Sequence, residues 1–166
     1  MIVSRSKDDY ARLVLPHLAA AYRLALWLLR DPATAEDVVQ DAAERALRFI
    51  GGFRGGNERA WLLRIVRNAA MDHLGRNRPA AALDDETEDP GPSPESALLC
   101  AERAANLREA VAALPPKLRE CLVLRELEEL SYRDIADIAG IPIGTVMSRL
   151  AAARQKLMAQ TRDLRP

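Results

Sequence analysis

The stretch SYRDIADIAGIPIGTVMSRL, residues 131–150, has a pattern that would place side chains against DNA. Both ends are typical of helices, but Gly140 and Pro142 interrupt the middle. A sharp turn there favours a residue tolerant of positive φ, and proline cannot extend the first helix. Val146 and Leu150, four residues apart, would seat the second helix on the first. The pattern predicts a helix-turn-helix, a motif whose second helix enters the major groove of DNA.

The N-terminal end of this second helix carries groups able to contact DNA. Hydroxyl and guanidinium groups donate hydrogen bonds to base edges or phosphates, and a helix N-terminus favours phosphate. Residues 142–166 hold five basic residues and one acidic residue. An ordinary helical hairpin with a solvated basic face would share these features, although the spacing favours DNA binding. The candidates are Gly144, Thr145, Ser148 and Arg149.

A glycine-rich loop and the helix after it form a second candidate site. The loop GGFRGGNE, residues 51–58, has four glycines in eight residues, which lets backbone come close to a base. In the next helix Arg64, Arg67 and Asn68 are spaced to share one exposed face. Arginine neutralises phosphate there, and the amide can read a base edge. Three other residues of this helix are interpreted as core packing: Trp61, Ile65 and Ala69.

The elements that must position these residues are all predicted to be α-helices. Apolar residues recur at helical spacing, and no run alternates over the length of a strand. Thr34 with Asp37, and Ser131 with Asp134, resemble capping boxes, while Gly75 would close the third helix. We predict helices at 8–30, 31–50, 59–75, 97–113, 116–128, 132–139 and 143–160.

An acidic, proline-rich segment divides the chain into two helical blocks. Residues 80–102 carry seven acids and no base, whereas both flanking blocks are mildly basic. Such a segment cannot bury enough apolar area to offset its chain entropy. We therefore predict two small helical domains, 1–78 and 97–166, joined by a flexible acidic linker at 79–96, with the helix-turn-helix in the second domain.

Composition argues against a disulfide scaffold, a metal centre and an enzyme. Cys100 and Cys121 form no CxxC pair and have no histidine nearby, and we interpret them as free, mostly buried thiols. His17 and His73 are isolated from any cysteine or paired carboxylate, so no nucleophile or acid–base pair can be assembled. We predict no catalytic residue, no metal and no cofactor.

The N-terminal part of the chain bears on location. MIVSRSKDDYARL lacks the apolar core of a signal peptide. The most apolar run, LALWLL at 24–29, is far shorter than the roughly 20 residues needed to span a bilayer. We predict a soluble, cytoplasmic protein without membrane insertion.

Three segments resemble one known family. LPPKLRECLVLRELEELSYRDIADIAGIPIGTVMSRLAAARQKL (114–157) closely resembles the C-terminal domain of extracytoplasmic-function (ECF) sigma factors. DPATAEDVVQDAAERAL (31–47) and ERAWLLRIVRNAAMDHL (58–74) resemble the same family's N-terminal domain, in the right order and spacing. The resemblance implies a dissociable subunit that directs bacterial RNA polymerase to promoters.

The resemblance also assigns roles to single residues. The helix at 31–48 would bind the β′ clamp helices of core polymerase through Asp37, Gln40, Asp41, Glu44 and Arg45. The −10 promoter region would be melted and read by Phe53, Arg54, Asn57, Arg64, Arg67, Asn68, Arg76 and Arg78. The −35 element would be bound by Arg133, Gly144, Thr145, Ser148, Arg149 and Arg154, and the β flap by other faces of that domain.

The resemblance further implies an anti-sigma factor as partner and a free chain that is monomeric. Two alternatives remain open at this point. One is a helix-turn-helix repressor or activator that works without polymerase, against which the 31–47 and 58–74 matches argue. The other is a sigma mimic that only sequesters an anti-sigma factor, which would lack the DNA-contacting residues that this chain retains.

Overall fold

A computed structural model describes residues 2–76 and 96–162, and side chains within 7–76 and 100–160. Within those ranges the regular structure is helical. The predicted linker lies outside the described residues except for Ser96, which begins a helix. The helices are α1 (Ile2–Leu13), α2 (Leu18–Leu29), α3 (Pro32–Phe49), α4 (Glu58–Arg76), α5 (Ser96–Ala112), α6 (Pro116–Glu126), α7 (Tyr132–Ala139) and α8 (Ile143–Arg162).

The first predicted helix is wrong in one respect, because it is two helices. α1 ends at Leu13, a 3-10 turn covers Leu15–His17, and α2 begins at Leu18. Pro16 lies in that turn, and proline has no N–H to donate and disfavours helix at the residue before it. The apolar spacing continues through the break, so periodicity alone did not reveal it.

The cap of α3 also differs from the prediction. Asp31 is the N-cap, and its carboxylate accepts hydrogen bonds from the Thr34 hydroxyl and, at 2.8 Å, from the Thr34 N–H. These two bonds hold the pKa of Asp31 below its ordinary value. Pro32 follows at the first helical position, where a missing N–H costs nothing. Thr34 therefore donates to the cap and does not form it with Asp37.

Small residues bring α2, α3 and α4 close together in the first domain. Alanines line all three helices, and leucines fill the space between them. α4 runs through Gly75 to Arg76, so the predicted end at Gly75 is wrong. The buried residues include Ala21, Leu24, Ala25, Ala35, Val38, Ala42, Leu62, Leu63, Val66 and Ala70.

In the second domain, the predicted break at 139–144 and its cap are confirmed. Ser131 caps α7 by accepting the Asp134 N–H at 3.1 Å. Gly140 follows with φ +66°, and α8 leaves at 101° to α7. Val146 and Leu150 are buried beneath the turn. This is the geometry predicted for residues 131–150.

The two domains pack against each other. α2 contacts α6, and α4 contacts α7. The buried apolar residues of both domains form one contiguous cluster. The recognition surfaces predicted from sequence therefore lie on one packed body.

Among the described residues, one segment without a sharp bend is apolar and long enough, by composition, to cross a membrane. It is Lys7–Leu29, which includes α2 and most of α1. Leu13, Leu24 and Ala25 of this segment are buried in the core. A core helix of a globular protein can have the same length and apolar composition. The prediction that no segment inserts into a membrane considers only the run at 24–29, which is shorter than this 23-residue segment.

Candidate nucleic-acid interface

One face of α4 forms an open groove against α3. Four residues of α4 follow each other at intervals of three, one and three positions, so they share one stripe of the helix. They are Trp61, Arg64, Ile65 and Asn68. With two residues of α3 they line a cavity of about 310 Å³. Its walls combine aromatic rings, two guanidinium groups and one amide. The lining residues are Arg45, Phe49, Trp61, Arg64, Ile65 and Asn68.

The loop before α4 is shaped by two glycines. Gly55 and Gly56 have φ of +90° and +104°, which other residues rarely adopt. Phe53 packs its ring 5.4 Å from that of Trp61, at 59°. Asn57 then caps α4, because its Oδ1 accepts the Ala60 N–H at 3.1 Å. The loop thus ends at the groove, and its Arg54 side chain is exposed.

Arg67 does not share the exposed face of Arg64 and Asn68, so that part of the prediction is wrong. Its side chain is only 23% exposed, and its Nε donates to Glu120 Oε1 at 2.6 Å. Asn57 also reaches the second domain, donating from Nδ2 to Asp134 Oδ2 at 3.2 Å. Two candidate −10 residues are therefore engaged by the second domain.

The candidate polymerase-binding residues lie on α3. Asp37, Gln40 and Glu44 are exposed, whereas Asp41 and Arg45 are half-buried. Arg45 bonds Asp72 of α4 at 3.0 Å and Asp41 at 2.7 Å. Both contacts raise the pKa of Arg45, and the hydrogen bond to Asp72 is the largest cause. Arg45 therefore joins α3 to α4. Asp37, Gln40 and Glu44 are the exposed members of the set, and Glu44 lies 3.7 Å from Arg48.

A second cavity of about 280 Å³ lies along the same cleft, nearer the end of α4. Arg76 lines it opposite Asp37 and Asp41, and its Nε donates to the Asp72 carbonyl at 3.2 Å. The structure thus brings one candidate −10 residue beside the candidate polymerase-binding acids. Arg78, the last of the −10 set, lies outside the described residues.

The candidate −35 residues lie mainly on the first turns of α8. Gly144 and Ser148 are exposed, and Thr145 and Arg149 are half-buried. Ser148 donates its hydroxyl to the Thr145 carbonyl at 3.0 Å. The charge of Arg149 lies near Cys121 of α6 and works against the burial that raises the pKa of that thiol. The helix N-terminus therefore presents its polar atoms outward, while Arg149 lies partly against α6.

Two other arginines of the −35 set lie at the edge of this surface. Arg133 on α7 is exposed. Arg154 lies 2.7 Å from Glu126. The hydrogen bond to Glu126 is the largest cause that raises the pKa of Arg154, and the hydrogen bond to Tyr132 is the second. Both partners are in the second domain, so Arg154 is held in place by its own domain.

The two thiols differ in exposure. Cys121 is fully buried, and this burial raises the pKa of its thiol. Cys100 is exposed, so its predicted burial is wrong. Between residues 7 and 76 and between 100 and 160, no three His, Cys, Asp or Glu side chains are placed to hold a metal ion.

Four charged residues at the domain contact were not among the predicted site residues: Arg23, Arg59, Glu120 and Glu128. Arg23 and Arg59 of the first domain bind Glu128 of the second, and Arg67 binds Glu120. Both glutamates are buried. No local signal identifies this contact: Arg119 and Glu120 are the two charges in the run RECLVL (119–124), and helical spacing alone assigns such charges to a solvent face.

Comparison with known proteins finds one family model in each helical block of the chain. The family model for Sigma-70 region 2 matches residues 13–79, and the model for Sigma-70, region 4 matches residues 104–157. The RNA polymerase sigma-H factor of Pseudomonas aeruginosa is 37% identical over 91% of this chain and 85% of its own length. The ECF RNA polymerase sigma factor SigW of Bacillus subtilis is 31% identical over 95% of this chain and 91% of its own.

Solved structures point the same way. The sigma factor RpoE of Bartonella quintana, in complex with the anti-sigma factor NepR, superposes with a TM-score of 0.73. It is 27% identical, and the match covers 93% of this chain and 97% of that one. CnrH in complex with the cytosolic domain of CnrY gives a TM-score of 0.67 at 27% identity, over 93% of this chain and 88% of that one. Sigma factors are transcription initiation factors and not catalytic enzymes. With two regions matched in order and relatives aligned over most of their length, the chain belongs to the ECF RNA polymerase sigma factors.

Proposed function

We propose that this chain binds core RNA polymerase in the cytoplasm, directs it to specific promoters and helps to open the DNA at the −10 region. The observation that carries the proposal is the α4 stripe. Aromatic rings, Arg64 and Asn68 line one groove beside a glycine loop, in the part of the chain that matches Sigma-70 region 2. An exposed helix N-terminus on the second domain supplies a separate surface for duplex DNA.

The groove suits a base taken out of the DNA stack. Flipping a base costs a few kcal/mol, which stacking and edge hydrogen bonds can offset. Trp61 and Phe49 offer rings for stacking, Asn68 an amide for a base edge, and Arg64 a charge for the adjoining phosphate. Trp61, which the sequence predicts to be a core residue, is half-buried: its ring packs against the core and also lines the groove.

Core polymerase is proposed to bind the exposed side of α3. Asp37, Gln40 and Glu44 present charged and polar groups there, and Asp41 and Arg45 complete the set. In this proposal the β′ clamp helices supply the complementary surface, and the β flap binds the second domain. Polymerase binding then leaves the α4 groove free for DNA.

The −35 element is proposed to lie against α8. Thr145, Ser148 and Arg149 would contact bases or phosphates, with Arg133 and Arg154 along the backbone. Gly144 lets the helix start lie close to DNA, because an added Cβ there would point into open space that DNA would fill.

An anti-sigma factor is proposed as the inhibitor of this chain. RpoE of Bartonella quintana was solved with the anti-sigma factor NepR, and CnrH with the cytosolic domain of CnrY, over matches that cover 93% of this chain. A partner that binds both domains at once would hold them in the packed arrangement and cover the polymerase-binding residues.

Run-off transcription tests the function directly. Purified chain and core polymerase are incubated with a pool of genomic promoter fragments, without any anti-sigma factor. Discrete transcripts that depend on the chain are expected. Gel filtration with core polymerase accompanies the assay, because a DNA-binding repressor would not co-elute with the enzyme. The absence of both transcripts and co-elution would refute the proposal.

Single substitutions test the surfaces. Asn68→Ala should reduce permanganate reactivity of the melted −10 region more than duplex binding, and Asn106→Ala on exposed α5 is the matched control. Arg149→Ala should weaken −35 binding by roughly 1–3 kcal/mol if it reads a base bidentately, with exposed Arg108→Ala as control.

Asp37→Arg tests the polymerase surface. It is a cleaner choice than Asp41→Arg, because Asp41 is bonded to Arg45 and its loss would also disturb the α3–α4 contact. We expect weaker capture of core polymerase with an unchanged circular dichroism spectrum. Capture equal to that of the parent chain would remove Asp37 from the site.

A further inference from the structure

Two large apolar side chains on the first turns of α8 face outward. Ile143 is 46% exposed and Met147 is 54% exposed, and within the described residues neither packs against the hydrophobic core. The opposite side of the helix supplies the core contacts through Val146 and Leu150, which are buried. Ile143 and Met147 are four residues apart, so they lie on one side of the helix, about 6 Å apart along its axis. We call these two residues the α8 apolar pair.

The position of the α8 apolar pair is what distinguishes it. A single exposed apolar side chain is ordinary on a protein surface. This pair, however, alternates with Gly144 and Ser148, two exposed residues that are proposed above to face the −35 element. In a helix-turn-helix, the first turns of the second helix contact base edges in the major groove. The pair is therefore placed where bases are read.

The chemistry of the pair selects the feature of DNA that it can contact. Neither side chain carries a charge for a phosphate or a hydrogen-bond donor for a base edge. Arg149 is the one charged residue in the stretch 143–153, and it is half-buried. Among the four bases, thymine alone presents a methyl group in the major groove. Apolar side chains at this position therefore complement thymine better than any other base.

Cationic side chains lie beside the pair and not within it. Arg154 follows Met147 by seven residues, which places it two turns further along the same side of α8. Arg133 is exposed on the neighbouring helix α7. Phosphate contacts fix the position of a protein on the duplex, and base contacts provide the specificity. The distribution of charge thus leaves the arginines for the DNA backbone and the apolar pair for the bases.

We propose that Ile143 and Met147 select thymine in the −35 element by apolar contact with its C5 methyl group. This inference rests on the −35 role proposed above for α8, and it names the base feature that the helix reads. Because the two side chains lie one turn apart, they contact different base pairs. We therefore expect two thymines of the −35 element to be read through their methyl groups.

The first experiment changes the DNA and leaves the protein intact. Holoenzyme is assembled from the chain and core polymerase, and the probe is a promoter duplex recovered in the run-off assay. Each thymidine of the −35 element, on either strand, is replaced in turn by deoxyuridine, which lacks the methyl group and keeps the O4 acceptor. Filter binding measures the Kd of each duplex. Removal of a contacted methyl group should raise the Kd about fourfold, because apolar area returns to water.

The second experiment identifies the side chain that contacts each methyl group. Met147→Ala should bind the thymine and uracil duplexes equally at one position, and Ile143→Ala should do so at a different position. Met147→Leu keeps an apolar side chain and should retain the preference for thymine. Met158→Ala is the matched control, because it removes the same side chain from an exposed position further along α8. It should show the same ratio of Kd values as the parent chain.

The salt dependence of binding separates an apolar contact from an electrostatic one. Met147→Ala removes no phosphate contact, so the slope of log K against log salt should equal that of the parent chain. Arg133→Gln should reduce the slope if Arg133 neutralises a phosphate. A reduced slope in Met147→Ala would contradict the apolar contact.

Three further results would overturn the proposal. Equal Kd values for thymine and uracil at every −35 position would show that no methyl group is read, and this result needs no protein variant. A preference for thymine that persists in both alanine variants would assign the contact to other residues. Loss of core polymerase capture in Met147→Ala would show that the pair contacts polymerase. The readout is a ratio between two duplexes, whereas failure of the proposed function would appear as missing transcripts from the unmodified promoter.

Discussion

Replacing Gly140 with alanine should destabilise the turn between α7 and α8 through the backbone alone. Gly140 has φ +66° and ψ +40°, the left-handed region. A Cβ added there meets no atom within 4 Å, so no steric clash contributes. Left-handed geometry costs an L-residue about 1–2 kcal/mol, and alanine regains part of this by restricting the unfolded chain. We expect a net loss of about 1 kcal/mol.

Gly144 provides the matched control with the opposite sign. It lies in the first turn of α8 without positive φ, and its added Cβ also meets open space. Gly144→Ala should stabilise the helix by up to about 1 kcal/mol, because glycine loses more backbone freedom than alanine on folding. Both substitutions add one methyl group, so the difference isolates backbone conformation.

Urea denaturation followed by circular dichroism gives the free energy of unfolding for each variant. Hydrogen exchange at the Ile141 amide, which donates to the Ala136 carbonyl at 3.1 Å, reports on the turn itself. Faster exchange is expected in Gly140→Ala only. If Gly140→Ala were as stable as the parent chain, the left-handed conformation at this position would carry no cost for alanine, and the reasoning would be refuted.

Three further predictions concern the caps and the thiols. Ser131→Ala should lower stability by about 1 kcal/mol in the same denaturation assay, since it removes the cap of α7. The pKa of Asp31 is lowered from 3.8, so its stabilisation is complete above that pH and is lost as the pH falls below it. Asp31→Asn should keep the cap but flatten this acid-side loss in urea midpoints. Mass spectrometry after iodoacetamide should show Cys100 labelled and Cys121 labelled only in denaturant, with Cys100→Ser leaving no labelled site in the native chain.

Local signals predicted most of the helices and their boundaries. α7 begins after Ser131 and ends before Gly140, as its cap and glycine indicated, because such signals act within one turn of the chain. Pro16 carried an equally local signal that the continuous apolar spacing outweighed. The lesson there is that a proline should be tested before periodicity is extended across it.

The α4 groove was half predictable. Arg64 and Asn68 were placed on one face by their spacing, and the structure puts both there. Trp61 falls on the same stripe at three and seven residues' distance, so its periodicity was available too. Arg67 could not be placed, because its position on α4 turns it towards a second domain whose location no helical spacing encodes.

α6 shows why the domain contact escaped prediction. Its residues 119–124, RECLVL, are all buried in consecutive positions, which no helix with one solvated face can achieve. α7 and α8 cover part of the α6 surface, and α2 of the first domain covers a further part. The burial of Arg119 and Glu120 therefore requires both domains. From sequence alone those two charges mark a solvent face, and only the partner helix converts them into interface residues. It follows that loosening the domain contact by Glu128→Gln, which removes the charge that Arg23 and Arg59 bind, should raise hydrogen exchange in α6.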